Sequence, residues 1–488
     1  MVNVSFLQEL LNGIAERGRT LLPRSFVGSA TSNDMVDLAR ALVSGRGEAS
    51  GVALARQIIA RYATLDEAQR TAFFAYLAEN LGPDYAAIST AAGAFMANAT
   101  PATYRKLARA AEPPRQEFFR RLNLAPGATA TIVRMRRDML DCLRANPNLA
   151  DVDADLMHLL ASWFNRGFLV LRRIDWSTPA NILEKIIAYE AVHEIHGWDD
   201  LRRRLDPVDR RCFAFFHPSL VDEPLIFVEV ALTRDIPGSI QDLLAEEKTD
   251  RAGTGSTQPT TAVFYSISNC QDGLRGISFG NFLIKQVVEE LVREVPSLKI
   301  FVTLSPAPGF ATWLAGMLER GERGPLTEPD RVSLQMLQDP SWVDEPEGDE
   351  DLQAPVLALA AYYFLEAKTP SQRPPDPVAR FHLGNGARLE RINWRGDVSQ
   401  KGLRESHGVM VNYLYEIKEI EKNHETYAES GAVTASRAVR ALLRPLEKGR
   451  PNSSAVALVE ERAKSTSTRR DTAASSKPPI ALPPATTK

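Results

Sequence analysis

Apolar positions recur at three- and four-residue spacing up to about residue 167, where the period changes and runs with two-residue alternation begin, so the chain reads as a helical region followed by a mixed one. In the helical region Asn33 precedes an apolar stripe over 34–44 that Gly45 ends. Thr64-x-x-Glu67 resembles a capping box ahead of Phe73, Phe74 and Leu77, and Gly82-Pro83 stops that helix. Further helices are predicted over 102–111, 114–123, 129–145 and 153–166, separated by Pro113-Pro114, Pro126-Gly127 and Asn146-Pro147. Their aromatic and leucine spacing marks a bundle core, and scaffolding and subunit contact are its expected work.

Beyond 167 the pattern predicts a strand over 168–176, a helix opened by Thr178-Pro179, two strands over 211–216 and 224–233 joined as a hairpin, and a short helix over 239–244. The central stretch is 261–310. Residues 261–268 alternate as a half-buried strand, 269–280 form a glycine-spaced turn, and Phe282, Ile284, Val287, Val288 and Leu291 fall at helical spacing. A second apolar run over 299–304, parallel to the first if the helix is a crossover, stops at Ser305-Pro-Ala-Pro-Gly. Helices are predicted over 311–322 and 357–365, with a Pro/Asp/Glu-rich insertion over 324–353 between them. His382 falls between a helix and the strand-like run 388–394, and from about 446 a Ser/Thr/Pro/Lys-rich tail is expected to be disordered.

A strand, glycine loop and helix in that order suit an anionic guest, because glycines let backbone approach a ligand and free N–H groups at a helix start attract phosphate. The same glycines can also serve a turn alone. Two phosphate-loop classes are excluded: Gly280 is followed by Asn281-Phe282 rather than Lys-Ser/Thr, and the glycine spacing is G-x-x-G-x-x-x-G rather than G-x-G-x-x-G. His193-Glu-Ile-His196 would place two imidazoles together on a helix, but no third ligand lies nearby, so no metal is expected. Ser305 lies in Leu-Ser-Pro, not the Gly-x-Ser-x-Gly elbow, and Pro306 has no N–H for an oxyanion hole, which argues against a serine hydrolase.

Composition narrows the class further. The 488 residues are 44% hydrophobic and carry a formal net charge of −3, from 58 basic and 61 acidic side chains, so more than one domain is expected and no nucleic-acid footprint is present. Only three cysteines occur, Cys142, Cys212 and Cys270, widely spaced, and no apolar run approaches a bilayer's thickness; a cytoplasmic protein without a membrane partner is expected.

The blocks FYSIS, GLRGISFGNFLIK, LSPAPGF, FHLGNGARLERINWRGDVSQKGLRES and VNYLYE, in this order between about 168 and 415, resemble those of malonyl-CoA decarboxylases. With the all-α helical bundle domain expected over 1–167 and the disordered tail over 447–488, the resemblance implies a mixed β-sheet catalytic domain of the GCN5-related acetyltransferase type over 168–446, an α+β protein in all. It implies that Ser305 and His382 act as a catalytic dyad, the serine accepting and the histidine donating a proton. The physical expectation is that Ser305 orients the acyl group while a protonated His382 supplies the proton. Arg275, Gly276, Ile277, Ser278, Phe279, Gly280 and Asn281 correspond to the coenzyme A-binding segment, with backbone N–H groups on the pyrophosphate. Ser266 and Tyr415 fall in matching blocks as candidates to line the acyl pocket, packing being the alternative for each. No cofactor is implied, since the malonyl-CoA substrate carries its own electron sink in the thioester carbonyl. A homotetramer is implied, without the inter-subunit disulfides of animal members, whose cysteines would align with about Ala180 and Pro218. Within the same fold the rival is a CoA-dependent acyltransferase; outside catalysis it is a CoA-binding scaffold.

Overall fold

The computed structural model describes residues 33–44, 47–245, 258–277, 283–320, 326–344 and 346–444. The disordered tail expected at 447–488 therefore lies outside the described residues. Two compact units are formed: the first by the described residues up to Ala191 with Phe213–Phe227 and 268–277, the second by Val192–Cys212, the described residues of 228–267, and those beyond 282.

The first unit is helical up to Trp163, and its helices include Asn33–Val43, Glu67–Asn80, Pro101–Ala111, Pro114–Leu122, Ala128–Leu143 and Ala150–Trp163. Its core gathers Phe73, Phe74, Phe118 and Phe119, all buried, with the Phe118 ring edge-on to both Phe73 (6.0 Å between centroids) and Phe119 (5.2 Å). The cap of the Glu67–Asn80 helix sits two residues later than the Thr64-x-x-Glu67 reading. Asp66 Oδ1 accepts the Gln69 N–H at 2.8 Å and Gln69 Oε1 accepts the Asp66 N–H at 3.1 Å, whereas Thr64 donates to the Arg61 carbonyl of the preceding helix. A helix over Tyr85–Ala97 was not expected, because its small uncharged residues give no apolar stripe. Asp84 caps it by accepting the Ala86 and Ala87 N–H groups, and no residue in it is buried.

Eight strands form one mixed sheet in the order β1-β2-β3-β4-β5-β8-β6, with β7 also on β8: β1 Val170–Ile174, β2 Arg210–Phe216, β3 Pro224–Thr233, β4 Thr261–Asn269, β5 Ile300–Thr303, β6 Ser305–Pro306, β7 Arg388–Asn393 and β8 Met410–Leu414. A helical region followed by a mixed sheet is the α+β order expected. In the second unit β4 and β5 are parallel, Val263 opposite Val302, and the Leu283–Glu294 helix connects them, burying Leu283, Ile284, Val287, Val288 and Leu291. Val263, Tyr265, Val302, Leu304 and Met410 share a core with Ile240 and Leu243 of the short Ile240–Leu244 helix, which Ser239 caps. The apolar helix expected from 357 begins at Pro346 and runs to Leu365, with Pro355 inside it. No helix among the described residues is long and apolar enough to cross a membrane.

Asp66→Ala should lower the stability of the helical unit by about 1 kcal/mol in urea unfolding, and Thr64→Ala by clearly less. Equal losses would contradict the placement of the cap at Asp66.

Candidate active site

Ser305 does not simply follow a strand. Val302 stands opposite Leu414 in the β5–β8 pair and Ser305 opposite Val411 in the β6–β8 pair, one antiparallel register interrupted at Thr303 and Leu304. Leu304 N–H continues the β4–β5 ladder by donating to the Phe264 carbonyl at 2.9 Å, while on the other side of β5 side chains take part in the pairing with β8. The Thr303 hydroxyl oxygen accepts the Tyr413 N–H at 3.1 Å, and Asn412 Nδ2 donates to the Thr303 carbonyl at 2.7 Å. Ser305 Oγ donates to Thr303 Oγ1 at 2.9 Å and lies 3.1 Å from His382 Nε2. Residues 77 apart in the chain thus meet through their side chains.

His382 sits in the last turn of the Pro377–Gly384 helix rather than between helix and strand. Its ring stacks on Tyr413 at 4.6 Å and 24°, meets Phe381 edge-on, and Nδ1 is 2.8 Å from the Tyr415 hydroxyl. Burial alone holds its pKa down at about 3, with no charged neighbour among the described residues to offset lost hydration, so the imidazole is neutral across the physiological range. Such burial disfavours the protonated His382 expected from sequence. The Tyr415 phenol is pushed far above its ordinary value by the same burial, which rules it out as an anionic partner.

Asp376 caps the helix that carries His382. Wholly buried, it accepts N–H bonds from Ala379 at 2.8 Å, from Val378, and from Gly309, four residues beyond Ser305. Tyr363 Oη lies 3.4 Å from its other oxygen, and a Cβ on Gly309 would sit 2.6 Å from that same hydroxyl, so only glycine fits there.

The glycine loop belongs to the first unit as far as it is described. Gly273 packs so closely on the Ala128–Leu143 helix that a Cβ would lie 1.9 Å from the Val133 carbonyl oxygen, so packing alone requires glycine there. Gly276 has φ +81°, a conformation that favours glycine. The buried Arg136 guanidinium donates to the Gly273 and Arg275 carbonyls at 2.8 Å each and pairs with Asp153 at 2.7 Å, bracing the loop from below. Arg275 is largely exposed with Asp272 beside it, and Ile277 is buried. Ser278, Phe279, Gly280 and Asn281 lie outside the described residues.

The family model for the malonyl-CoA decarboxylase C-terminal domain matches residues 167–453, and that for the N-terminal domain matches residues 81–164. The chain belongs to the malonyl-CoA decarboxylase family. It is 37% identical over 349 residues to the mitochondrial malonyl-CoA decarboxylase of Anser anser anser, covering 67% of this chain and 69% of that one. Among solved structures it is similar to malonyl-CoA decarboxylase from Rhodopseudomonas palustris, with 56% identity, TM-score 0.81 and coverage of 85% of this chain and 100% of the other. The corresponding structure from Agrobacterium vitis has 54% identity, TM-score 0.79 and coverage of 84% and 100%.

As a member of this family, the protein places its remaining candidates as follows. Ser266 is buried on β4, whereas Tyr415 touches His382 directly. His193 and His196 lie outside any helix, so the spacing that would bring their rings together is absent, and no group of three potential metal ligands occurs among the described residues. Thr303, Asp376 and Arg136 went unremarked in the sequence. A threonine in a strand, an aspartate before Pro377 and an arginine in a helix each read as ordinary residues of their elements.

Burial raises the Asp376 pKa to about 6, against the pull of its N–H partners and Arg380. A raised acid contributes stability that is full below the ordinary carboxylate range and is lost as pH rises through about 6. The unfolding free energy of wild type minus that of Asp376→Asn should therefore fall by roughly 2–3 kcal/mol between about pH 4 and 7. A difference independent of pH in denaturant unfolding would contradict this.

Proposed function

We propose that the chain converts malonyl-CoA to acetyl-CoA and carbon dioxide through an enolate, with Ser305 and His382 as the catalytic pair. The observation that carries the proposal is the 3.1 Å contact between Ser305 Oγ and His382 Nε2, each buried, at the edge where β6 meets β8. Membership of the family supplies the substrate.

The bond that breaks joins the carboxylate to the α-carbon, and its electron pair moves into the thioester carbonyl. The enzyme must hold the carboxylate out of the carbonyl plane, place hydrogen-bond donors on the developing enolate, and deliver one proton to the α-carbon. A thioester enolate is a stronger base than an alkoxide or an imidazolate, so a neutral hydroxyl or ring N–H can give it a proton, which solvent then replaces, and no imidazolium is needed. In this reading Ser305 and the His382 ring face the acyl group, and Tyr415 holds the ring. The stretch from Arg275 to Asn281 holds the coenzyme's pyrophosphate through backbone N–H groups; the left-handed Gly276 and the Arg136 contacts at Gly273 and Arg275 support this reading at its described end. Assembly as a homo-oligomer, a tetramer by resemblance, and residence in the cytoplasm complete the proposal; Cys142, Cys212 and Cys270, none of them in a disulfide, support a reducing compartment.

The purified protein given malonyl-CoA alone should release carbon dioxide and acetyl-CoA in equal amounts, and in heavy water the new methyl group should carry one deuterium. Ser305→Ala and His382→Asn should each lower kcat by about 100-fold or more. Turnover that requires an added amine acceptor would identify an acyltransferase instead.

Because His382 is neutral down to about pH 3, kcat should show no loss centred on the ordinary histidine value near 6.5 that disappears in His382→Asn. A pH–rate profile between 5.5 and about 8.5 with such an inflection would contradict the role of a neutral ring.

A further inference from the structure

The direction of the hydrogen bonds through the catalytic pair is set by a residue that does not belong to it. Thr303 is fully buried at the end of β5, and its hydroxyl oxygen accepts the Tyr413 N–H at 3.1 Å. That bond stands in for a rung of the β5–β8 ladder, so rotating the side chain would orphan a buried backbone N–H. The oxygen is therefore fixed, and it receives the Ser305 hydroxyl hydrogen at 2.9 Å.

A serine hydroxyl has one hydrogen. Given to Thr303, it cannot also be given to His382, and Ser305 Oγ then faces Nε2 at 3.1 Å as an acceptor. A neutral ring carries hydrogen on one nitrogen, so Nε2 holds it and Nδ1 accepts from the Tyr415 hydroxyl at 2.8 Å. The donors run one way, from Tyr415 to His382 to Ser305 to Thr303.

We infer that Thr303 is a positioning residue that holds the Ser305 hydrogen away from His382 and so keeps the imidazole as the Nε2–H tautomer, a donor rather than a base. Without it, Ser305 would be free to donate to Nε2, the ring would move its hydrogen to Nδ1, and the pair would take the polarity of a hydrolase dyad, poised to activate the serine. The inference rests on Ser305 and His382 being the reacting pair, but the tautomer itself is observable without turnover.

The test uses the full chain labelled with 15N-histidine; the chain has seven histidines, and the His382 signals are assigned by their loss in His382→Asn. At pH 7.5 the wild type should show Nε2 protonated and Nδ1 bare. Thr303→Val, of nearly the same shape, should shift His382 toward the Nδ1–H tautomer and lower kcat by about 10- to 100-fold with KM within about twofold, the size of effect expected when a reacting group is misplaced. Thr303→Ser should restore both the tautomer and kcat, which a role in packing alone would not do. An Nδ1–H tautomer in the wild type would overturn the inference without any variant. So would Thr303→Val with an unchanged tautomer, or with kcat within twofold of wild type. A protein with the expected tautomer response and no decarboxylation of malonyl-CoA would instead refute the proposed function and leave the role of Thr303 standing.

Discussion

An imidazole sealed from water with no charged neighbour must be neutral, and the arrangement around His382 follows from that constraint. In many acid–base sites a carboxylate sits behind the histidine and steadies an imidazolium. Here the atom behind Nδ1 is the hydroxyl of Tyr415, a phenol whose own burial keeps it protonated. Hydroxyl groups therefore do the orienting, through Tyr415 on one side and Ser305 on the other, and the Tyr413 face closes the ring from above. The ring is thus held at both nitrogens by neutral hydroxyl groups rather than by a charge.

The fold delivers these side chains by making one strand serve several neighbours. The parallel β4–β5 pair needs a helical crossover, and β8 inserts antiparallel beside β5, so that β5 and β6 share a single partner. Where the ladder breaks at Thr303, side-chain oxygens and amides replace backbone groups, and Ser305 emerges at the resumed pairing with its hydroxyl already bonded. Asp376 links the same region to the histidine's helix, accepting N–H groups from Gly309 on the serine side and from Ala379 on the histidine side. Two segments distant in sequence are thereby held by one buried carboxylate as well as by their direct contact.

Much of the scaffold is legible in the pattern of residues. The period change near 167, the strand at 261–269, the crossover helix and the strand at 300–303 all appear as apolar spacing because burial on one face imposes it. What the pattern misplaces is local chemistry. Asp66 rather than Thr64 supplies the cap, since two polar residues in one turn compete and spacing alone does not choose between them. Gly273 looks like a ligand-facing glycine and proves to be one that a neighbouring helix presses against. The pairing of Ser305 with His382 cannot be derived from periodicity at all. It was reached through resemblance, because nothing local links residues that only a sheet edge and a capped helix bring together. Thr303 was invisible for a related reason: its hydroxyl matters only where the strand ladder is broken, and the break is a property of three strands at once.

The central claim is that His382 is neutral and hydrogen-bonded to Ser305 at working pH. Its most direct test is a nuclear magnetic resonance titration of the His382 ring in the ligand-free protein from pH 5 to about 8.5. The account predicts ring signals of a neutral imidazole throughout, with no protonation step. A titration centred near the ordinary histidine value would mean that water or a counter-charge reaches the ring, and would contradict it.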